Sequence, residues 1–257
     1  MTSTSRRERM GIWRSKFVVE ERYVDPHVRG RLYVGATSLI VIGLAAFAYL
    51  LVSVLTHSGF ELLDRPVENW FDAQRSTSTT GFMIVLAIVF GPVALPIVVF
   101  VVLVVWIIAA RHVWRPALLF GGMVTGVVLA QVLGPIVKHP RPPIGLMLFG
   151  PDRTFSFPSG HVLGTSDFLL ILAFLFASRI QRTWFTVVAV TLALVGIAAQ
   201  VISRLYLGYH WISDTTASIA LSMVIVGTLI LVDTRRTVRT PGERVSGELS
   251  QPQKDGT

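Results

Sequence analysis

Three features of the sequence predict an all-α integral membrane protein. Hydrophobic residues fill 52% of the 257 positions and charged residues only 15%, whereas an ordinary soluble domain is about 25% charged. The apolar residues gather into runs as long as the roughly 20 residues that cross a bilayer as a helix. The basic residues are shared unevenly among the links between those runs. The same composition excludes a disordered chain, which needs few apolar residues and a high net charge. With no cysteine, the chain has no disulfide frame, zinc–thiolate centre, iron–sulfur cluster or cysteine nucleophile.

The first run lies between Arg31 and Glu61, with its apolar heart from Leu32 to Leu55. Between Arg75 and Arg111 a longer stretch is interrupted by Gly91-Pro92 and Pro96. Its first piece, Thr80 to Phe90, is too short to span at about 1.5 Å per residue. One span from Val93 to Ala110 is therefore expected, preceded by a partly buried helical segment. Arg115 to Lys138 encloses the third span, Val162 to Ser178 the fourth, Thr183 to Ile202 the fifth and Trp211 to Val232 the sixth. Phe60–Phe71 mixes Leu62, Leu63, Val67 and Trp70 with Glu61, Asp64, Arg65 and Glu68, the pattern of an amphipathic helix lying on an interface.

The basic residues orient these six spans. Residues 1–31 carry eight, the link Arg111–Arg115 two, Arg179 and Arg182 two more, and the tail after Val232 five; these seventeen of twenty-three share one side. Arg65, Arg75, Lys138, Arg141, Arg153 and Arg204 hold the other. Both termini are thus expected in the cytoplasm of a multi-pass cell-membrane protein. Residues 1–31 form a basic segment without the apolar core of a signal peptide, residues 32–232 the six-span domain, and residues 233–257 a tail whose composition predicts disorder. A net charge of +8 suggests nucleic acid in a soluble chain; beside a membrane, a basic flank that meets headgroups is the expected reading, and no nucleic-acid partner.

Polar residues kept near membrane spans are functional candidates, and three clusters fall on the outer side. The first is Lys138-His139-Pro140-Arg141-Pro142-Pro143, the second Pro158-Ser159-Gly160-His161, and the third runs from Ser203-Arg204 through Tyr209-His210 to Asp214. His210 and Asp214 stand four apart, so early in a helix they share a face. A carboxylate on one imidazole nitrogen leaves the lone pair of the other facing outward, a prepared nucleophile or base. Ser159 suits a helix cap, and Gly160 lets backbone N–H groups approach a phosphate. His161 stands beside them, placed to protonate a leaving oxygen. Arg141 and Arg204 supply planar forks for phosphate. Together these parts suit holding a phosphoryl group while an imidazole attacks it.

At these residues the sequence resembles the type 2 phosphatidic acid phosphatase (PAP2) family, whose motifs are Lys-x6-Arg-Pro, Pro-Ser-Gly-His and Ser-Arg-x5-His-x3-Asp. The second and third are matched in full. In the first, Arg141-Pro142 fits, but Gly134 stands where the family has lysine, and Lys138, one helical turn on, is the nearby candidate. The resemblance implies metal-independent hydrolysis of a lipid phosphate or pyrophosphate monoester in the outer leaflet, at an extracytoplasmic site. His210 would form a phosphohistidine, Asp214 orient it, and His161 act as acid and then base. Lys138, Arg141, Ser159, Gly160 and Arg204 would hold the phosphate, with no metal and no cofactor. The substrate expected is a polyprenyl diphosphate or a glycerolipid phosphate such as phosphatidate or phosphatidylglycerophosphate. Two other readings stand beside it: an inactive relative acting as a membrane partner, and a transporter using the His, Asp and Arg cluster. Asp167, inside the fourth span, either pairs with a site cation or sits in a polar seam between helices, and the seam is the expectation.

Overall fold

The computed structural model describes residues 16–109, 112–247 and 249–253. Strand β1 (Val19–Tyr23) leads into α1 (Pro26–Thr56). Pro26 occupies the first turn of α1, where its missing N–H removes no helical bond, and Asp25 accepts the His27 N–H at 2.8 Å. The chain then lies along one end of the bundle as a short 3₁₀ turn (Gly59–Leu63) and α2 (Asp64–Ala73). Here the amphipathic pattern is resolved by direction. Asp64 and Glu68 point into the protein, while Leu62 and Trp70 stay exposed, as an interfacial helix facing lipid requires.

Helices α3 (Thr77–Val89) and α4 (Ala94–Ala109) meet at a 48° bend over Gly91-Pro92. With α5 (Trp114–Val137), α6 (Gly160–Ile180), α7 (Thr183–Tyr206) and α8 (Ile212–Thr237) they complete the bundle. Among the described residues five helices are individually long and apolar enough to cross a membrane; α4 alone is not, and the bent pair of α3 and α4, counted as one broken span, brings the number to the six expected. Ile97, Phe100 and Ile108 of α4 and Trp184, Leu192 and Val195 of α7 remain exposed, the outer surface of a bundle whose solvent is hydrocarbon.

The core lies between α5, α6 and α8, where Leu119, Leu163, Ile171 and Leu175 are fully enclosed. The first and last spans pack against each other most closely. A Cβ on Gly43 would stand 2.7 Å from the Ala220 carbonyl, and one on Gly227 2.8 Å from that of Ala36. Small residues allow such backbone approach where lipid supplies no hydrophobic drive between helices. Asp167 is fully buried against Gly126 of α5, and its oxygens have no hydrogen-bond partner among the described residues. Buried Ser166 and Ser222 lie in the same interior, so the seam, not a pairing with a site cation, describes its surroundings.

The expectation of disorder after Val232 is corrected. α8 continues to Thr237, and β2 (Val238–Arg239) and β3 (Ser250–Pro252) flank β1 in a three-stranded parallel sheet ordered β2-β1-β3. Composition misleads here because opposite charges of the two chain ends meet. Buried Glu21 takes Arg239 at 2.8 Å and Arg236 at 3.2 Å, and Glu243 takes Arg29 at 2.9 Å. Residues 1–15, most of the basic N-terminal segment, and residues 254–257 fall outside the described residues.

Candidate active site

The three polar clusters meet at the end of the bundle where α5 and α7 finish and α6 and α8 begin. Gly208 makes the turn from α7 towards α8 at φ +72, where a Cβ would lie 2.4 Å from the Leu146 carbonyl. This close turn sets His210 beneath the loop that links α5 to α6.

His210 is 2% exposed. Its Nδ1 lies 2.9 Å from the Ser156 carbonyl, which can only accept, so Nδ1 carries the proton. Its Nε2 lone pair therefore faces the cluster, where Arg141 Nη1 donates to it at 3.1 Å. Burial, joined by the charges of Arg141 and Arg204, pushes the imidazole down to about 4, so it is neutral at neutral pH. The expected partner, Asp214, stands 3.6 Å from Nδ1, beyond hydrogen-bond range. Its link to His210 runs through Ser156, whose hydroxyl donates to Asp214 Oδ2 and whose carbonyl takes the imidazole proton. The Trp211 N–H donates to the same Oδ2 at 2.8 Å.

The other oxygen of Asp214 accepts from His139 Nδ1 at 2.8 Å. His139 is almost fully buried, and Glu61 stands 4.0 Å from its Nε2. Burial opposes a charge on His139, but the hydrogen bond and charge of Asp214 prevail and hold its pKa above the usual value. Asp64, pushed up to about 6 by burial, accepts the Ser213 N–H at 3.0 Å and hydroxyl at 2.7 Å. The donor atoms of Glu61, Asp64 and His139 lie within 4.8 Å of one another. His139 thus links the interfacial turn to the start of α8.

The two guanidiniums are held differently. Arg141 donates to the Tyr209 carbonyl at 2.6 Å and to Thr154 Oγ1 at 2.9 Å, and pairs with Asp152 at 3.0 Å. Against the opposing effect of burial, Thr154 and Arg141 hold Asp152 below the usual carboxylate range, so this anchor stays ionised. Arg204, 4% exposed, lies 4.4 Å over the Tyr209 ring. It has no carboxylate partner among the described residues, and its Nε makes no hydrogen bond. Arg141, Arg204 and His210 all lie within electrostatic reach of His161. His161 Nε2 faces the bend between α3 and α4, 3.6 Å from where a Cβ on Gly91 would be.

Ser159 caps α6 and is fully buried, its Oγ accepting the Val162 N–H at 3.5 Å. Gly160 is exposed, and a Cβ on it would meet nothing within 4 Å, so space lies open over the first turn of the helix. The structure joins Arg141, His161, Arg204, His210 and Asp214 in one cluster and sets Ser159 and Gly160 at its edge. It does not join Lys138. That residue caps α5 in the left-handed conformation at φ +55, which takes its side chain off the helical face it was expected to share with position 134. It is exposed, and its side chain makes no hydrogen bond or ion pair among the described residues. The buried place next to it belongs to His139. Sequence reasoning gave His139, Ser156 and Asp152 no role. His139 lay inside a quoted cluster, but nothing in the sequence distinguishes it from a flanking residue.

Residues 115–237 match the sequence model of the PAP2 superfamily. Over 121 residues the chain is 26% identical to phosphatidylglycerophosphatase B of Bacillus subtilis (strain 168), covering 45% of this chain and 56% of that relative. The match thus spans little more than half the relative's length. In fold, the chain is similar to the crystal structure of a transmembrane PAP2 type phosphatidylglycerolphosphate phosphatase from Bacillus subtilis. There the TM-score is 0.68 at 17% identity, over 76% of this chain and 96% of the other. It is also similar to LpxE of Aquifex aeolicus, with a TM-score of 0.53 at 20% identity, over 66% and 95% of the two chains. The stretch that matches the PAP2 superfamily model contains all three clusters, and in fold the chain is similar to membrane-spanning phosphatases of that type.

Proposed function

We propose that the protein hydrolyses a lipid phosphate or diphosphate monoester through a phosphohistidine on His210. The observation that carries this reading is a buried neutral imidazole, its proton held by Ser156, beside Arg204, a buried guanidinium with no acid of its own. A cation left without a counter-ion in a low-dielectric place is a site for an anion. In the resting site Arg141 caps Nε2. An arriving phosphate accepts from Arg141 and Arg204, draws Arg141 off the imidazole and occupies the open space at the Gly160 N–H.

Nε2 then attacks phosphorus, the bond to the lipid oxygen breaks, and His161 gives that oxygen its proton. In the second step His161 takes a proton from water. The water oxygen attacks phosphorus, the P–N bond breaks and inorganic phosphate leaves. Asp214 and Ser156 steady the imidazolium-like charge that develops on His210. The fixed cations and N–H groups meet the charge on phosphorus, so the chemistry needs no metal.

The partition of basic residues supports an extracytoplasmic site with both termini in the cytoplasm. The similarity to phosphatidylglycerophosphatase B supports phosphatidylglycerophosphate as the first substrate to try, beside phosphatidate and polyprenyl diphosphates. The test is phosphate release by purified protein across these lipids, with and without EDTA. Rapid quenching with phosphate-labelled substrate should trap an acid-labile, base-stable phosphoenzyme that is absent in His210→Ala. An absolute need for Mg²⁺ or Zn²⁺ would sink the phosphohistidine reading.

A further inference from the structure

At the other end of the bundle, roughly 27 Å from His161 along α6, a second basic site stands apart from this chemistry. It is a cavity of about 360 Å³ between the end of α4, the start of α5 and the ends of α6 and α8. Trp106, Trp114, Arg115, Phe176 and Arg179 line it, together with Glu20 and His112. The acids of this end are already engaged. Asp233 takes Arg22 at 3.2 Å and the Trp114 indole N–H at 2.9 Å. Glu20 takes Arg179 at 3.3 Å and lies 3.4 Å from His112. The side chain of Arg115, half-buried, makes no hydrogen bond or ion pair among the described residues, although Asp233 and Glu20 lie within electrostatic reach. Three guanidiniums, those of Arg22, Arg115 and Arg179, therefore stand against two carboxylates.

One wall of the cavity is the stacked pair Trp106–Phe176, with centroids 5.1 Å apart and planes at 1°. Phe176 is 42% exposed on the apolar outer surface. A basic pocket between span ends that opens along an aromatic wall towards hydrocarbon suits a phosphate headgroup with its acyl chain attached. We propose that this cavity binds one anionic phospholipid, its phosphodiester on Arg115 and its chain along Trp106 and Phe176. The proposal does not depend on the catalytic reading of the other end.

Native mass spectrometry of the full-length protein, titrated with phosphatidylglycerol, phosphatidylcholine or inorganic phosphate, tests it. Wild type should retain one tightly held phosphatidylglycerol that phosphatidylcholine does not replace and millimolar inorganic phosphate does not displace. Arg115→Gln should weaken its retention at least five-fold and Arg115→Lys by less. Arg204→Gln, at the opposite end, should leave it unchanged. Displacement by inorganic phosphate would mean a free-anion site and overturn the lipid assignment. Equal retention in wild type and Arg115→Gln would overturn the site itself. Should Arg115→Gln fail to fold, wild type alone decides: no rise in melting temperature with phosphatidylglycerol over phosphatidylcholine refutes the proposal.

Discussion

Arg22 and Arg204 lie near opposite ends of the bundle and are equally buried, at 5% and 4% exposure. Arg22 has its acid: Asp233 lies 3.2 Å away, itself bonded to Trp114, and Thr237 accepts a further N–H at 3.3 Å. Arg204 has an aromatic ring and no acid, because the carboxylates of its end are spent on His139 and Arg141. A buried cation with its counter-ion ties elements together, whereas one without it raises the energy of the empty site and is relieved by an anion. The first arrangement should report on stability and the second on turnover, and this contrast can be attacked by mutation.

The largest effect should come from the group the unpaired arginine serves. His210→Ala should lower phosphate release by the folded protein on the order of 10³-fold or more, to background. His161→Ala should hurt most with lipid substrates, and an activated aryl phosphate, which leaves without a proton, should recover part of the loss. Equal, near-wild-type rates in both variants would break the assignment of the site.

The two arginines themselves come next. Arg204→Gln should lose about 2–4 kcal/mol of transition-state stabilisation, the scale of one preorganised donor, with a melting temperature held or raised. Asp233→Asn should do the reverse. Leaving Arg22 buried without its acid costs about 3–5 kcal/mol of stability, while kcat/KM of the folded fraction stays at wild type. A loss of stability in the first or of turnover in the second would erase the distinction.

A smaller effect lies in the pH profile. With His210 pushed down to about 4, its neutral form persists well below the ordinary histidine pKa of roughly 6.5. The unfolded chain takes up this proton first, so the contribution of His210 to stability is lost as pH falls from about 6.5 towards 4. Arg141→Gln removes one of the charges that depress it, so the acid limb of kcat/KM should move to higher pH than in wild type. The substrate's own titration is common to both profiles and drops out of the difference. No displacement, or one to lower pH, would mean that Arg141 does not face the imidazole.

The smallest effect is expected at Lys138. Exposed and off the helical face, its change to alanine should alter kcat/KM within a few-fold. A loss on the scale of Arg204→Gln would bring it back as a phosphate ligand.

The spans were legible because hydrocarbon imposes one demand, a long apolar run, and composition records it directly. Even the bend between α3 and α4 was marked by Gly91-Pro92. The residues of the two complete motifs were legible because their spacings survive in the chain. What stayed hidden depends on backbone direction or on partners far apart in sequence. The left-handed turn at Lys138 exchanges the exposed and buried places of two neighbours, so His139, not Lys138, reaches Asp214. Ser156 reaches His210 across 54 positions through a loop that has no periodic pattern. The ordered tail was missed for the same reason, since the partner of Arg239 is Glu21.

The sheet at that end also bears on the order of synthesis. β1 precedes α1, yet both strands that flank it follow α8. The groove around Gly43 on α1 likewise waits for α8. During translation the first span and its strand are therefore without their native neighbours. The two ends of the chain can close on each other and bury Glu21 only after α8 and the strands that follow it have been made.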